Sequence, residues 1–294
     1  MPFSLNQPAE AFDIAPTDDS EWAAHTANIL LKQGGRFEDA LLDAWLRLAQ
    51  SGELIKGGVS TQAALSNLRK DIKPPRSGRE NPHYFDDGAL SRAVPIGIFC
   101  AGNPAKAVEM AGLDASVTNA EDGVWAAQGM ATAISLACVG KNPTEFLGSS
   151  VQVLPQSSLV RRRVDEALAL VKKGESLFSM LPKLQNTVIN REYSYGNASP
   201  ETLALTFVIA KLVGNDVEHA ITTAASFAKT ADALPAIVGA LVGAMNSEVI
   251  ASEAWLAAVM TLKGICIPSL AGTNFLELTN QLVDATIRNL GDNA

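Results

Sequence analysis

Leu234-Pro235-Ala236-Ile237-Val238-Gly239-Ala240-Leu241-Val242-Gly243-Ala244-Met245 is the stretch whose reading decides the fold. Ala and Gly stand among Leu, Ile and Val, and small side chains let neighbouring backbones approach closely. The pattern predicts a helix lying deep between other helices. The polar turn Lys229-Thr230-Ala231-Asp232-Ala233 precedes it, and the apolar segment Leu203-Ala204-Leu205-Thr206-Phe207-Val208-Ile209-Ala210 lies upstream. Pro235 suits a first helical turn, where its missing N–H costs little, so Asp232 is placed at the N-cap or close to it. Capping alone would account for a lone aspartate. A carboxylate at the mouth of a buried helix is also a candidate metal ligand if partners arrive from elsewhere.

Such partners stand near the start of the chain. Pro16-Thr17-Asp18-Asp19-Ser20-Glu21-Trp22 leads into Ala23 to Leu31 and stops at Gly34-Gly35, which predicts a helix whose N-terminus is the acidic cluster. Helix N-termini favour carboxylates, so Asp18 and Asp19 have a structural reason to be there. Two adjacent carboxylates behind a threonine hydroxyl exceed what one cap requires, and Mg²⁺ or Mn²⁺ takes this kind of oxygen set.

Further helices are predicted at Phe37 to Gln50, Thr61 to Leu68, Pro104 to Leu113, Val124 to Val139, Leu159 to Gly174, Leu177 to Leu184, Ile250 to Met260 and Leu276 to Ile287. Arg69 to Pro82 reads as an exposed loop, Asp114 to Gly123 as a polar turn, and Thr187 to Ala198, with Tyr193 and Tyr195, as a loop suited to a cleft rim. In Asp86-Asp87-Gly88-Ala89-Leu90-Ser91-Arg92, the Gly88-Ala89 backbone at a helix start can offer N–H groups to an anion, and Arg92 either reaches that anion or stays inside as a salt bridge. No run of alternating β-branched residues and no repeat period is present. The expected class is all-α, a compact multi-helix bundle forming a single domain over residues 1–294.

Composition narrows the function. The 294 residues are 47% apolar and 18% charged, with a formal charge of −8 and a pI near 5.0, and no Lys/Arg stripe offsets the carboxylates, which argues against a nucleic-acid partner. Arg161-Arg162-Arg163 is the one basic run and reads as a solvated helix start. Cys100, Cys138 and Cys266 are far apart in apolar surroundings, which predicts buried thiols in a reducing compartment. No secretory pattern opens the chain and no window reaches the length of a membrane span. A cytoplasmic protein without a membrane partner is expected; the oligomeric state stays open.

Three stretches together resemble the ADP-ribosylglycohydrolase family, which includes the dinitrogenase-reductase-activating hydrolases and the J1 crystallins. Thr17-Asp18-Asp19-Ser20 is similar to the family's Thr/Ser-Asp-Asp-Thr metal motif. Gly88-Ala89-Leu90-Ser91-Arg92-Ala93-Val94-Pro95-Ile96-Gly97 is similar to its Gly-Ala-x-Met-Arg-x-x-Pro-Ile-Gly segment. Ala228 to Ala244 is similar to its Gly-Gly-Asp-x-Asp-Thr-Ile-Ala-Ala-Ile-x-Gly-Ala-x-x-Gly-Ala.

The resemblance implies an all-α fold, Mg²⁺ or Mn²⁺, and cleavage of ADP-ribose from an ADP-ribosylated protein. It implies Thr17, Asp18, Asp19 and Asp232 as metal ligands, Asp18 or Asp19 as the residue orienting water, and Gly88, Ala89 and Arg92 near the ADP-ribose. The departures are grouped: Thr230 and Ala233 stand where the family has Asp and Thr, Ala228 and Lys229 where it has paired glycines, and nothing before Thr17 matches its first helix. One metal site is thus kept and the second is degenerate, unless Glu10 or Asp13 replaces a ligand. Two functions follow as expectations: a metal-dependent hydrolase with weakened activity, or a non-catalytic relative that binds ADP-ribose, another protein or serves a structural role.

Overall fold

The protein was analysed as a computed structural model, which describes residues 16–32, 36–172, 176–193, 196–246 and 253–291. In chain order the helices are α1 (Asp18–Lys32), α2 (Phe37–Gln50), α3 (Val59–Arg69), α4 (Arg76–Arg79), α5 (Gly88–Phe99), α6 (Pro104–Ala115), α7 (Asp122–Ala137) and α8 (Pro143–Val153). They continue with α9 (Leu159–Leu170), α10 (Leu177–Val188), α11 (Ser199–Val213), α12 (Val217–Ala225), α13 (Leu234–Ala244), α14 (Glu253–Val259) and α15 (Phe275–Gly291). Among the described residues there is no strand, only two isolated bridges, Asp86 with Ala198 and Thr261 with Asn274. The class is all-α. None of these helices is long and apolar enough to cross a membrane.

The core is deepest at α11, where every residue from Ser199 to Ala210 is buried. Its sequence is apolar on all sides, which is what a helix enclosed by other helices requires. It packs against α9, α13, α12 and α7, while α5 packs on α7, α6 and α1. The α5–α7 contact is close because residue 97 has no side chain: a Cβ there would lie 2.6 Å from Ile134 Cβ and 2.8 Å from the Ala131 carbonyl. Buried apolar residues from Trp22 to Leu282 form one continuous cluster.

The stretch that opened the sequence reading is a helix, but it is not enclosed. Leu234, Ile237, Val238, Leu241 and Val242 face the core, whereas Ala236, Gly239, Ala240, Gly243 and Ala244 line a groove of about 420 Å³ shared with Phe275, Thr279 and Val283 of α15. Bulky and small residues segregate onto two faces at helical spacing, so one face packs and the other stays open.

Two expected surface segments are polar interior instead. Within the loop expected at Arg69 to Pro82, Ser77 and Gly78 of α4 and Asn81 are buried, and the Asn81 amide donates to the Ser60 and Thr118 carbonyls at 3.1 and 2.8 Å. In the turn expected at Asp114 to Gly123, Asp114, Thr118 and Asn119 are each about 1% exposed or less. Each is hydrogen bonded, which is what makes burial of a polar group tolerable. Cys138 is exposed, unlike Cys100 and Cys266, because it falls at the end of α7 where the chain turns into solvent.

Candidate active-site cleft

Helix α1 begins at the acidic cluster, as its sequence predicts, and is gripped from behind. The Glu21 carboxylate is fully buried and accepts the backbone N–H groups of Ile265, Cys266 and Ile267 at 2.8, 2.8 and 2.9 Å. Three charge-assisted bonds fix the helix to the segment before α15 and so set the direction in which Asp18 and Asp19 point.

The second wall is the start of α5. Asp86 accepts the Ser60 N–H and hydroxyl at 3.1 and 2.7 Å, the Gly88 N–H at 3.2 Å and the Asn119 amide at 3.2 Å. Next to it Asp87 is 8% exposed and accepts a 2.6 Å bond from the Thr202 hydroxyl of α11. The third wall is the rim segment between α10 and α11. Here the Tyr193 hydroxyl and His83 Nδ1 are 2.9 Å apart, and the Tyr193 ring packs edge-on against Phe85. The fourth is the turn before α13, carrying Lys229 and Asp232.

These walls enclose a cleft of about 730 Å³, lined by Asp18, Asp19, Asp86, Asp87 and Asp232 on the acidic side and by Lys229 and Arg191 as its cations. Gly88, Ser91, Trp22, Tyr193 and Asn197 also line it. The acidic groups act on one another. Burial raises the Asp18 carboxyl above its usual range and the charge of Asp232 adds to this. Burial pushes Asp19 up further, reinforced by Asp18, Asp87 and Asp232. Burial raises Asp87 to about 7; the Thr202 bond opposes the rise, and Asp86, Glu201 and Asp232 assist it. Burial lifts the Tyr193 phenol to about 12, helped by Asp86 and Asp87, so it stays a hydrogen-bond donor.

The expected site residues separate into two groups. Asp18, Asp19, Asp232 and Gly88 meet in the cleft. Thr17 is exposed at the head of α1 and does not line it. Ala89 and Arg92 are buried and do not line it either. Arg92 is the interior salt bridge: Nε donates to Asp114 at 2.7 Å, one terminal nitrogen to Thr118 at 2.7 Å and the other to the Gly88 carbonyl at 3.1 Å, with the guanidinium 5.3 Å from the Trp45 ring. The Gly88 N–H is already given to Asp86 and so is not open to an anion, while the Asp87 side chain makes no cap bond and is held by Thr202. Asp232 is no cap: Ala233 holds the N-cap position of α13 and makes no side-chain bond. Glu10, Asp13 and Tyr195 lie outside the described residues.

Asp87 and Lys229 were not singled out in the sequence. The stretch around Asp87 reads only as a helix start at Gly88-Ala89, and the one usable signal is that Asp86-Asp87 repeats the paired acids of Asp18-Asp19 ahead of a helix.

The donor chemistry of Asp18, Asp19 and Asp232 suits a hard divalent cation, which would offset the mutual repulsion that raises the first two. Among the described residues, however, no three His, Cys, Asp or Glu side chains lie close enough together to hold a metal ion as they stand.

Comparison with known proteins supplies the remaining context. The family model described as ADP-ribosylglycohydrolase matches residues 3–289. The solved structure of an "ADP-ribosylglycohydrolase-related protein complex" superposes with a TM-score of 0.64 at 20% identity, covering 92% of this chain and 81% of that one, a likeness of fold. No curated protein sequence matches the chain.

Proposed function

Since the chain belongs to the ADP-ribosylglycohydrolase family, we propose that it is a hydrolase releasing ADP-ribose from a modified protein side chain, with Mg²⁺ or Mn²⁺ as its cofactor. The observation that carries this reading is the convergence of Asp18, Asp19, Asp87 and Asp232 on one cleft, with the first three carboxyls raised by burial and by neighbouring negative charge. Asp18, Asp19 and Asp232 would hold one divalent cation; Thr17, exposed outside the cleft, would have to turn inward to join them. When bound, that cation would act as a Lewis acid toward the ribose hydroxyls and the attacking water, while the surrounding carboxylates would offset the positive charge that develops at the anomeric carbon.

The chain's own groups handle the protons. The Asp18 or Asp19 carboxylate orients the attacking water and accepts its proton as the new C–O bond forms. The bond from the anomeric carbon to the side-chain nitrogen or oxygen breaks, and its electron pair leaves with that atom. With its carboxyl raised to about 7 by burial, Asp87 is divided between acid and base forms near neutral pH, and its acid form would pass a proton to the departing atom. Gly88 keeps the wall beside Asp87 low, while Ala89 and Arg92 shape it from behind.

Thr230 and Ala233, standing where the family has Asp and Thr, favour a second reading, a non-catalytic relative that binds ADP-ribose without cutting. The two are separated by following free ADP-ribose from ADP-ribosylated arginine and serine peptides with Mg²⁺, with Mn²⁺ and with chelator, alongside Asp232→Ala. Metal-dependent release lost in the variant supports the hydrolase. Absence of release with both linkages and both ions overturns it in favour of the binding protein.

A further inference from the structure

The acidic cleft has to accommodate the anionic part of any phosphate-bearing ligand, and the usual places for it are closed. The Gly88 N–H at the α5 N-terminus is taken by Asp86, and the Arg92 guanidinium is internal, 0% exposed, with its donors spent on Asp114, Thr118 and Gly88. Of the two cations lining the cleft, Arg191 is exposed on the rim and donates to Asn186.

Lys229 differs from Arg191 in being held from within. Its ammonium pairs with Glu201, whose side chain is 1% exposed while that of Lys229 is 23% exposed. Glu201 is itself fixed, accepting the Asn190 N–H at 2.6 Å and the Ala198 N–H at 2.8 Å. The ammonium also sits 6.0 Å from the centre of the Tyr193 ring. An ammonium carries three donors, and Glu201 is the sole hydrogen-bond acceptor found for it among the described residues. A half-enclosed lysine with spare N–H bonds, preset by a buried carboxylate and an aromatic face, needs little ordering to take an anion.

We propose that Lys229, set in place by Glu201 and Tyr193, forms an anion subsite of the cleft that takes the diphosphate of a nucleotide-sugar ligand whose reacting end the aspartates engage. This rests on the reading of the cleft as an ADP-ribose site, and it assigns specificity for the phosphate-bearing ligand to one side chain. The subsite separates charges of opposite sign within one cavity, so a ligand is oriented as well as held.

The test measures binding by calorimetry, in chelator, of ADP-ribose, adenosine and inorganic pyrophosphate to the wild type, Lys229→Met and Lys229→Arg. Loss of one charge-assisted contact predicts that Lys229→Met weakens ADP-ribose about ten- to a hundredfold. Adenosine is unchanged, and Lys229→Arg restores most of the loss. Equal weakening of ADP-ribose and adenosine would mean that Lys229 only pins the rim, and no weakening would mean that it touches no ligand; either overturns the proposal. If the wild type binds pyrophosphate but not ADP-ribose, and Lys229→Met loses it, the subsite stands and the ADP-ribose reading falls. A wild type that binds none of the three overturns the subsite as well.

Discussion

Replacing Asp87 by asparagine isolates the electrostatic cost of the cleft. The two side chains have nearly the same shape, and the asparagine carbonyl can still accept the 2.6 Å bond from Thr202, so packing and that bond are kept while the charge is removed. The carboxyl is raised in the folded chain from its ordinary 3.8 to about 7, so over that range the folded state binds more protons than the unfolded one. Stability therefore falls as the pH rises from about 4 to about 7 and is level above, with a ceiling of about 4 kcal/mol at roughly 1.4 kcal/mol per unit of pKa. Relaxation and water entry in a cleft make about 2 kcal/mol the more reasonable size. Urea unfolding of both proteins in chelator at pH 5, 6, 7 and 8 should show Asp87→Asn gaining on the wild type up to about pH 7 and then levelling at an advantage of about 2 kcal/mol. The comparison is needed because His25 acts the other way: burial lowers it to about 3, so its share of stability is lost as the pH falls below about 6.5. A difference between the two proteins that does not change with pH would refute the reasoning.

Other substitutions test the supports of the site. Glu21→Gln should cost about 2–4 kcal/mol, since one amide cannot accept all three N–H groups and a charged acceptor is lost; amide exchange at Ile265, Cys266 and Ile267 should accelerate more than in α11. Arg92→Met leaves Asp114 charged and buried and should cost about 3–5 kcal/mol in urea unfolding, while ADP-ribose affinity of the folded fraction stays within twofold, because Arg92 does not reach the cleft. Gly97→Ala should cost about 1–3 kcal/mol by forcing α5 away from Ile134, read as a lower melting temperature without loss of helical signal.

The helices were legible because their cause is local. Phe37–Gln50 carries its own apolar period and coincides with α2, and Gly88 to Phe99 reads as a helix despite Pro95. The faces were less legible: the run from Leu234 to Ala244 has the composition of an enclosed helix, and nothing in it tells that the Ala/Gly side would meet a groove. Asp18, Asp19 and Asp232, which line the cleft, stand out in sequence because each is expected at a helix mouth. Asp86 and Asp87 were passed over because their meaning depends on Ser60, Asn119 and Thr202, at separations of 26, 33 and 115 residues. Arg92 held two readings in sequence, and only the burial of Asp114 and Thr118 beside it decides for the interior one. Lys229 gained its significance from Glu201, another distant partner.

The three bonds to Glu21 reach across 244 to 246 residues of sequence. During synthesis the helix bearing Asp18 and Asp19 is made well before the backbone that grips it. At the ordinary pace of translation, about 5–20 residues per second, the acidic end of α1 waits roughly 10–50 seconds for its anchor. The acidic end of α1 is thus fixed only after Ile265 to Ile267 have cleared the exit tunnel, and a truncation before Ile265 would leave the Glu21 carboxylate without these three donors.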